Sequence, residues 1–356
     1  MGIRTIASIV GARPQFIKAA PVSRAIASGF KEVFIHTGQH YDYGMSEVFF
    51  AEMEMRAPDF NLGIGGGSHG EQTGKMLVDL EKIFTQVKPD CVLVYGDTNS
   101  TLAGALAAAK AQIPLAHVEA GLRSYNRAMP EEVNRVLTDH VSTLLFCPTD
   151  AAVENLAKEG IKKGVHRVGD VMADTLLHNL QLARTKSKIM GDLGLIKGKY
   201  ALATVHRASN TDDKENMRLI LSGFGSLSSQ LVFPVHPRTR KMIQEWGLSV
   251  NSNVKMIEPV GHFDMLTLQE NANCILTDSG GVQKEAYLVG VRCITLRDET
   301  EWVETVNAGW NILAGVDVKK ILDSFESWFP QAERKPLYGD GHAAEQICKI
   351  LLSTLR

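Results

Sequence analysis

Residues Cys274 to Leu288 read CILTDSGGVQKEAYL. The apolar run Cys274-Ile275-Leu276 has the character of a buried strand end. Thr277-Asp278-Ser279-Gly280-Gly281 breaks that pattern, and Val282 to Leu288 resumes with helix formers at helical spacing. Strand, glycine turn and helix start therefore follow one another directly. Unpaired backbone N–H groups meet the positive end of the helix dipole at such a junction, and the combination attracts phosphate. Gly280 and Gly281 let a pyrophosphate approach the backbone, and Ser279 adds a hydroxyl. Glu285, one turn in, can accept hydrogen bonds from a ribose diol. An ordinary Ser-Gly-Gly turn with Ser279 as helix N-cap fits the same residues equally well.

Around this stretch the chain alternates short apolar runs with amphipathic ones. In the first half, Ile3–Val10, Val33–Thr37, Cys91–Tyr95, Leu115–Glu119 and Leu144–Cys147 read as strands. The segments Gln15–Ala27, Ser46–Met53, Glu71–Val87, Ser100–Lys110, Val133–Val141 and Ala151–Glu159 read as helices between them. After Val168-Gly169-Asp170 the alternation restarts, with strands at Tyr200–Thr204, Leu231–Pro234, Val254–Ile257, Cys274–Leu276 and Cys293–Leu296. The pattern predicts an α/β fold with two Rossmann-like domains facing across a cleft. The expected bounds are 1–170 for the first domain and 171–340 for the second. A last helix over 341–356 is expected to pack back on the first.

Composition narrows the function classes. The chain has 356 residues, 44% hydrophobic and 22% charged, with a net charge of −2. That is globular, and it gives no support for a nucleic-acid or membrane-surface partner. No apolar run is long enough to span a bilayer. The N-terminus, MGIRTIASIVGARP, reads as a first buried strand rather than a signal peptide. Five cysteines lie far apart without a CxxC, as reduced core residues of a cytoplasmic protein do.

Ligands of doubly wound sheets bind at the carboxyl ends of the strands, so polar residues at those ends are the candidates. Arg13 follows the first strand and suits a phosphate or carboxylate, although a surface ion pair is as common for a lone arginine. Asp97 ends the CVLVY strand, Glu119 ends the next, and Pro130-Glu131-Glu132 opens a helix. Three carboxylate positions thus converge in the first domain, where paired carboxylates can divide acid and base work. N-capping accounts for Asp97 otherwise, and dipole compensation for Glu131 and above all Glu132. Glu119 has no such ordinary explanation. His206-Arg207 and His236-Pro237-Arg238 follow strands of the second domain and suit phosphate or sugar contact. No HxH, HExxH or Cys/His cluster points to a metal. His117 reads as a satisfied core histidine or a support for Glu119. Gly65–Gly70 contains GxGxxG, but no strand is predicted before it, so it is no dinucleotide fingerprint.

The motifs GARPQFIK, GDTNSTLAG, HVEAGLRS, MPEEVNR, HRASN, HPR and TDSGGVQKEA, followed by LRDETEW, occur in this order along nearly the whole chain. Together they resemble the non-hydrolysing UDP-N-acetylglucosamine 2-epimerase family. The resemblance implies the GT-B architecture, no cofactor and no metal, a UDP-sugar substrate, a homodimer, and elimination and re-addition of UDP through a glycal. Carried over by motif, Asp97, Glu119 and Glu131 are the acid/base candidates, and His206 is catalytic or on the phosphate side. Arg13, Ser279, Gly280 and Gly281 hold the pyrophosphate and Glu285 the ribose. Arg135 supports the sugar site, and His236 and Arg238 belong to the UDP side.

The family's better-known members have GTRPE at Gly11–Gln15, HRRE at His206–Ser209 and RDTTERPE from Arg297. GARPQFIK resembles a branch acting on UDP-2,3-diacetamido-2,3-dideoxyglucuronate, used for surface polysaccharide. The carboxylate of that sugar calls for a cation, and Arg123, Arg127 or Arg207 can supply one. A GT-B glycosyltransferase, a hydrolysing 2-epimerase and a nucleotide-sugar sensor are the rival readings.

Overall fold

A computed structural model describes residues 3–39 and 55–355. The helix expected over 46–53 lies outside them, and so does His40, which with Gln39 follows the second expected strand as a polar candidate of the kind that ends a strand. The chain divides into two compact units, Met1–Thr175 with Leu337–Arg356, and Leu176–Pro336.

The first unit carries a parallel sheet. Its strands are β1 (Arg4–Val10), β2 (Phe30–His36), β3 (Phe60–Asn61), β4 (Cys91–Tyr95), β5 (Leu115–Val118), β6 (Leu144–Cys147) and β7 (Val165–Arg167). They lie in the order β3-β2-β1-β4-β5-β6-β7. The order reverses between β1 and β4, and this is where a doubly wound sheet opens a binding crevice. Strand β4 is buried along its whole length, as a central parallel strand covered on both faces must be, which is why it reads as an unbroken apolar run. Helix Asn99–Lys110 follows it under a Thr98 cap that accepts from the Thr101 N–H, and its alanines let it lie close to the sheet. Helix Ala343–Thr354 adds Ile347, Cys348 and Leu351 to the core built from Phe16, Ala20, Leu93 and Phe146.

The second unit repeats the plan with β8 (Tyr200–Thr204), β9 (Gln230–Pro234), β10 (Val254–Ile257), β11 (Cys274–Thr277), β12 (Cys293–Thr295) and β13 (Asn311–Leu313). Their order is β10-β9-β8-β11-β12-β13, with the reversal between β8 and β11. One face packs on helices Lys214–Gly225 and Val318–Ser327 through Ile220, Phe224, Ile321 and Phe325.

Several elements depart from the sequence reading. The first helix runs Arg13–Ile26, so Arg13 opens it and is not in the turn before it. A two-residue strand, β3, precedes the glycine-rich loop, but at the sheet edge and away from the strand-order reversal. Strands β3, β7 and β13 are two or three residues long, too short for a period-two signal. Helices Pro237–Glu245, Val303–Asn307 and Val318–Ser327 also went unread.

Candidate active site

In the first unit, Asp97 and Glu119 follow β4 and β5, which pair in register with Tyr95 beside Val118. Adjacent strands thus deliver both carboxylates to the carboxyl edge of the sheet. Gly96 turns the chain with φ +64°, a backbone geometry few side chains tolerate. Asp97 does not cap the next helix, since Thr98 does. The Asp97 carboxylate instead binds the Arg135 guanidinium, which brings helix Pro130–Val141 to the strand ends. Glu131, one turn before Arg135, is exposed and makes no hydrogen bond or ion pair among the described residues. Glu119 also has positive φ, +73°, and is paired with Lys18. Burial alone would lower the Lys18 pKa, but Glu119 foremost, then Asp97 and Asp170, hold it above the usual lysine range.

Sequence reasoning missed Lys18. It sits inside a helix, where a lysine looks like surface charge, and its partner lies on a distant strand. Asn134 was also missed as a support: its amide donates to the Asp97 carbonyl at 2.9 Å. Glu132 is not a dipole-compensating surface group. It is buried and accepts from the N–H groups of Ser124 and Tyr125, both at 2.9 Å, and from Arg135 at 2.8 Å. Burial works against its charge, yet these donors hold it below the usual carboxylate range.

His117 is a core histidine, fully buried. Its contacts run to Asp139 and the Gly96 carbonyl, both at 2.7 Å, and not to Glu119. Arg123 is no free cation for a sugar carboxylate, because its fork is closed on Asp139 and Glu159 at 2.7 Å each and its side chain is 1% exposed. Gln15 stands where the family's better-known members have Glu. It is buried, accepts from the Gly11 and Ala12 N–H groups at 2.7 and 3.1 Å, and donates to the Tyr95 carbonyl at 2.8 Å. That replacement fastens a turn and makes no statement about the sugar.

In the second unit, His206 follows β8, and Ser279-Gly280-Gly281 follows its neighbour β11. Helix Gly280–Val289 begins there, and the Ser279 side chain makes no capping hydrogen bond, which leaves its hydroxyl available to a ligand. Asp278 is fully buried and structural. It takes the N–H groups of His206 and Arg207 at 3.1 and 3.0 Å and the Asn210 amide at 3.0 Å, so it shapes the His206 turn from below. The Glu301 carboxylate lies against Gly280, with Arg297 at 2.9 Å and Arg207 at 3.5 Å. Two arginines therefore stand beside the glycine helix start, one of them unread in the sequence.

Glu285 accepts from the Gln269 amide at 2.8 Å. Burial pushes its pKa up against the pull of Gln269 and Lys284. His236 and Arg238 stand one strand further out. His236 accepts from the Arg238 N–H at 3.3 Å, and Arg238 pairs with Asp212 at 2.8 Å. Arg13 is exposed at the start of its helix after β1. Among the described residues no group of three or more His, Cys, Asp or Glu could hold a metal ion. No helix among them is long and apolar enough to cross a membrane.

Comparison with known proteins follows the same lines. A family profile described as UDP-N-acetylglucosamine 2-epimerase matches residues 24–352. A protein of Methanococcus maripaludis named as a homolog of that epimerase is 54% identical over 97% of this chain and 99% of its own. The UDP-2,3-diacetamido-2,3-dideoxy-D-glucuronate 2-epimerase of Pseudomonas aeruginosa is 46% identical over 97% of this chain and 99% of its own. The crystal structure of the Methanocaldococcus jannaschii UDP-GlcNAc 2-epimerase in complex with UDP-GlcNAc and UDP is similar with a TM-score of 0.77. It is 44% identical and covers 98% of this chain and 99% of that one. The likeness extends to the fold class, α/β with two Rossmann-like units of the GT-B type.

Proposed function

The chain belongs to the UDP-N-acetylglucosamine 2-epimerase family, and on that premise we propose that it inverts C2 of a UDP-2-acetamido sugar without hydrolysing it. A carboxylate of the first unit removes the C2 proton while the C1–O bond breaks and UDP leaves with the electron pair. C1 and C2 become the double bond of a glycal. UDP then re-adds to C1 as C2 takes a proton on the opposite face. The observation that carries this reading is the pair Asp97 and Glu119 on adjacent strand ends, with Lys18 and Arg135 beside them. Two carboxylates with different cationic partners are what an exchange of protons on two faces of one carbon requires. Glu131, one turn before Arg135, is the third acid/base group.

The UDP side falls to the second unit. Ser279, Gly280 and Gly281 offer the helix start to the pyrophosphate, and Glu285 takes the ribose. His206, His236 and Arg238 complete the grip in that unit, and Arg13 is the first unit's phosphate candidate. An incoming diphosphate exchanges with Glu301 for Arg207 and Arg297. The relative from P. aeruginosa favours a second reading of the substrate, the diacetamido-glucuronate nucleotide. With Arg123 closed on two carboxylates, Arg127 is the remaining first-unit candidate for its C6 carboxylate, and Arg207 is the alternative if the diphosphate does not take it.

Five free, buried cysteines support a reducing compartment, and we place the enzyme in the cytoplasm with its nucleotide sugar. The apolar stripe Met129, Val133, Leu137 and Val141, 36–44% exposed on one side of helix Pro130–Val141, supports a homodimer.

The test is incubation with UDP-GlcNAc and with the diacetamido-glucuronate nucleotide, separately, in deuterated water. The expected result is deuterium at C2 and a manno product from one of them, read by proton NMR. Free sugar plus UDP would point to a hydrolysing enzyme. No exchange from either would sink the epimerase reading.

A further inference from the structure

His117 ends in an arrangement that a merely space-filling histidine does not need. It lies on β5 with no exposed surface. Its Nε2 faces the Gly96 carbonyl at 2.7 Å, and its Nδ1 faces Asp139 Oδ1 at 2.7 Å. A carbonyl can only accept, so Nε2 carries a proton. Asp139 Oδ2 accepts from the Gly121 N–H at 3.1 Å and from Arg123 at 2.7 Å. Arg123 is braced in turn by Glu159. Burial works against the charge on Asp139, but His117 and Arg123 outweigh it and hold the carboxyl below its usual range. Nδ1 and Asp139 Oδ1, 2.7 Å apart, hold a hydrogen bond between them.

The far end of this chain reaches the candidate site. Gly96 immediately precedes Asp97. Its N–H is held by the Val118 carbonyl at 3.0 Å and its carbonyl by His117, so both of its polar groups are fastened to β5. The Asp97 carbonyl is held from the other side by Asn134, and its carboxylate by Arg135. Asn134, Arg135 and Asp139 share helix Pro130–Val141. His117 therefore lies between the helix that grips Asp97 and the turn that presents it.

We propose that His117 is a positioning residue for the epimerisation: its Nε2–H on the Gly96 carbonyl fixes the backbone from which Asp97 meets the sugar. The proposal rests on the reaction proposed above. A displacement of about 1 Å at a reacting group can cost on the order of 100-fold in rate.

Two substitutions separate this role from simple core support. In His117→Gln the amide nitrogen reaches about where Nε2 stands, which keeps the bond to Gly96 and gives up the one to Asp139. In His117→Asn the amide stands about where Nδ1 does, which keeps Asp139 partnered and releases Gly96. Positioning of Asp97 requires His117→Asn to lose roughly 100-fold in kcat while His117→Gln keeps most of it. KM and the protection of either variant against melting by UDP should not change. Core support alone ranks them the other way, because His117→Asn leaves no buried carboxylate without its partner.

Equal kcat in the two variants, or a faster His117→Asn, overturns the positioning role. Asp139→Asn keeps Nε2–H on Gly96, so its kcat should stay near that of His117→Gln, and a loss as large as that of His117→Asn overturns the role; if His117→Asn fails to fold, a measurement on the wild type replaces it. A nitrogen-15 NMR spectrum of the wild-type protein gives an arm that needs no variant. Nε2 of His117 should carry a proton, and an unprotonated Nε2 overturns the proposal. A wild-type protein that exchanges no deuterium into either UDP-sugar fails at the functional reading itself. An active wild type with equally fast variants fails only here.

Discussion

At Gly280 there is no room for a methyl group. A Cβ there would come within 1.9 Å of the Glu301 carboxylate, whereas at Gly281 it would meet only Ser279 Oγ at 3.8 Å. The two glycines therefore separate folding from binding. Gly281→Ala should leave the melting temperature unchanged or slightly raised, since alanine suits a helix better than glycine. If the pyrophosphate lies on this backbone, the same change obstructs its approach. Losing one charge-assisted hydrogen bond costs about 1.5–3 kcal/mol, so UDP affinity should fall roughly 10- to 100-fold. Titration calorimetry with UDP on Gly281→Ala reads this directly, and an unchanged affinity would remove the pyrophosphate from the helix start. Gly280→Ala should be the weaker folder of the two, because Glu301 must leave Arg297 and Arg207 to admit the methyl.

Single residues were legible when their setting left one explanation. Glu119, with no cap to make and no dipole to offset, stood out in the sequence and proves to be ion-paired with Lys18. Asp278 looked like part of the ligand turn, yet its oxygens are taken up by backbone N–H groups from β8's end. Partners supplied from another strand leave no trace in local sequence, and Lys18 was invisible for the same reason.

Among the elements, helix Ala343–Thr354 starts with no side-chain cap from its own N-cap residue, His342. Asp174, on helix Val171–Lys186, supplies one, accepting from the N–H groups of Ala343 and Ala344 at 3.1 and 2.7 Å. Burial pushes the Asp174 pKa from 3.8 up to about 6, against those two hydrogen bonds, which pull it down. The folded state thus binds this proton more tightly than the unfolded chain. The stability it contributes is fully present below the unfolded value and is lost as pH rises through about 6. Two pKa units correspond to about 3 kcal/mol. Asp174→Asn keeps one acceptor and does not titrate. Denaturant unfolding at about pH 4 and at about pH 7 should therefore show the variant gaining on wild type by roughly that amount at the higher pH. Parallel stabilities at both values would contradict it.

The central elements were readable for a physical reason. Parallel strands buried on both faces, such as CVLVY and CILT, appear as apolar runs wherever they occur. Edge strands carry no such signal: β13 is only partly buried over three residues. The Val318–Ser327 helix did carry one, in Ile321 and Phe325 four apart, and was overlooked.

At the scale of the whole molecule, the outer side of helix Pro130–Val141 is the feature that a monomer leaves unexplained. Met129, Val133, Leu137 and Val141 recur every fourth residue and are 39%, 42%, 44% and 36% exposed, with Tyr125 at 67%. They do not face the core, which takes Glu132, Asn134, Thr138 and Asp139 from the same helix. An apolar depression of about 500 Å³ is lined by Val133, Val136 and Leu137 and edged by Arg127, His140 and Glu159. Charges of both signs around an apolar centre suit a self-complementary two-fold contact, in which each copy offers the other the same surface. Leu137→Glu would set a carboxylate in that centre, close to its own symmetry mate. Sedimentation at micromolar concentration should show a dimer for wild type and a monomer for Leu137→Glu. Ile196→Glu, at another exposed apolar residue, should remain dimeric. The helix that carries this stripe also carries Glu131, Asn134 and Arg135, so the monomeric variant should exchange deuterium into C2 more slowly while melting with UDP as wild type does. A wild-type monomer, or a Leu137→Glu dimer, would move the interface elsewhere and leave the stripe without an occupant.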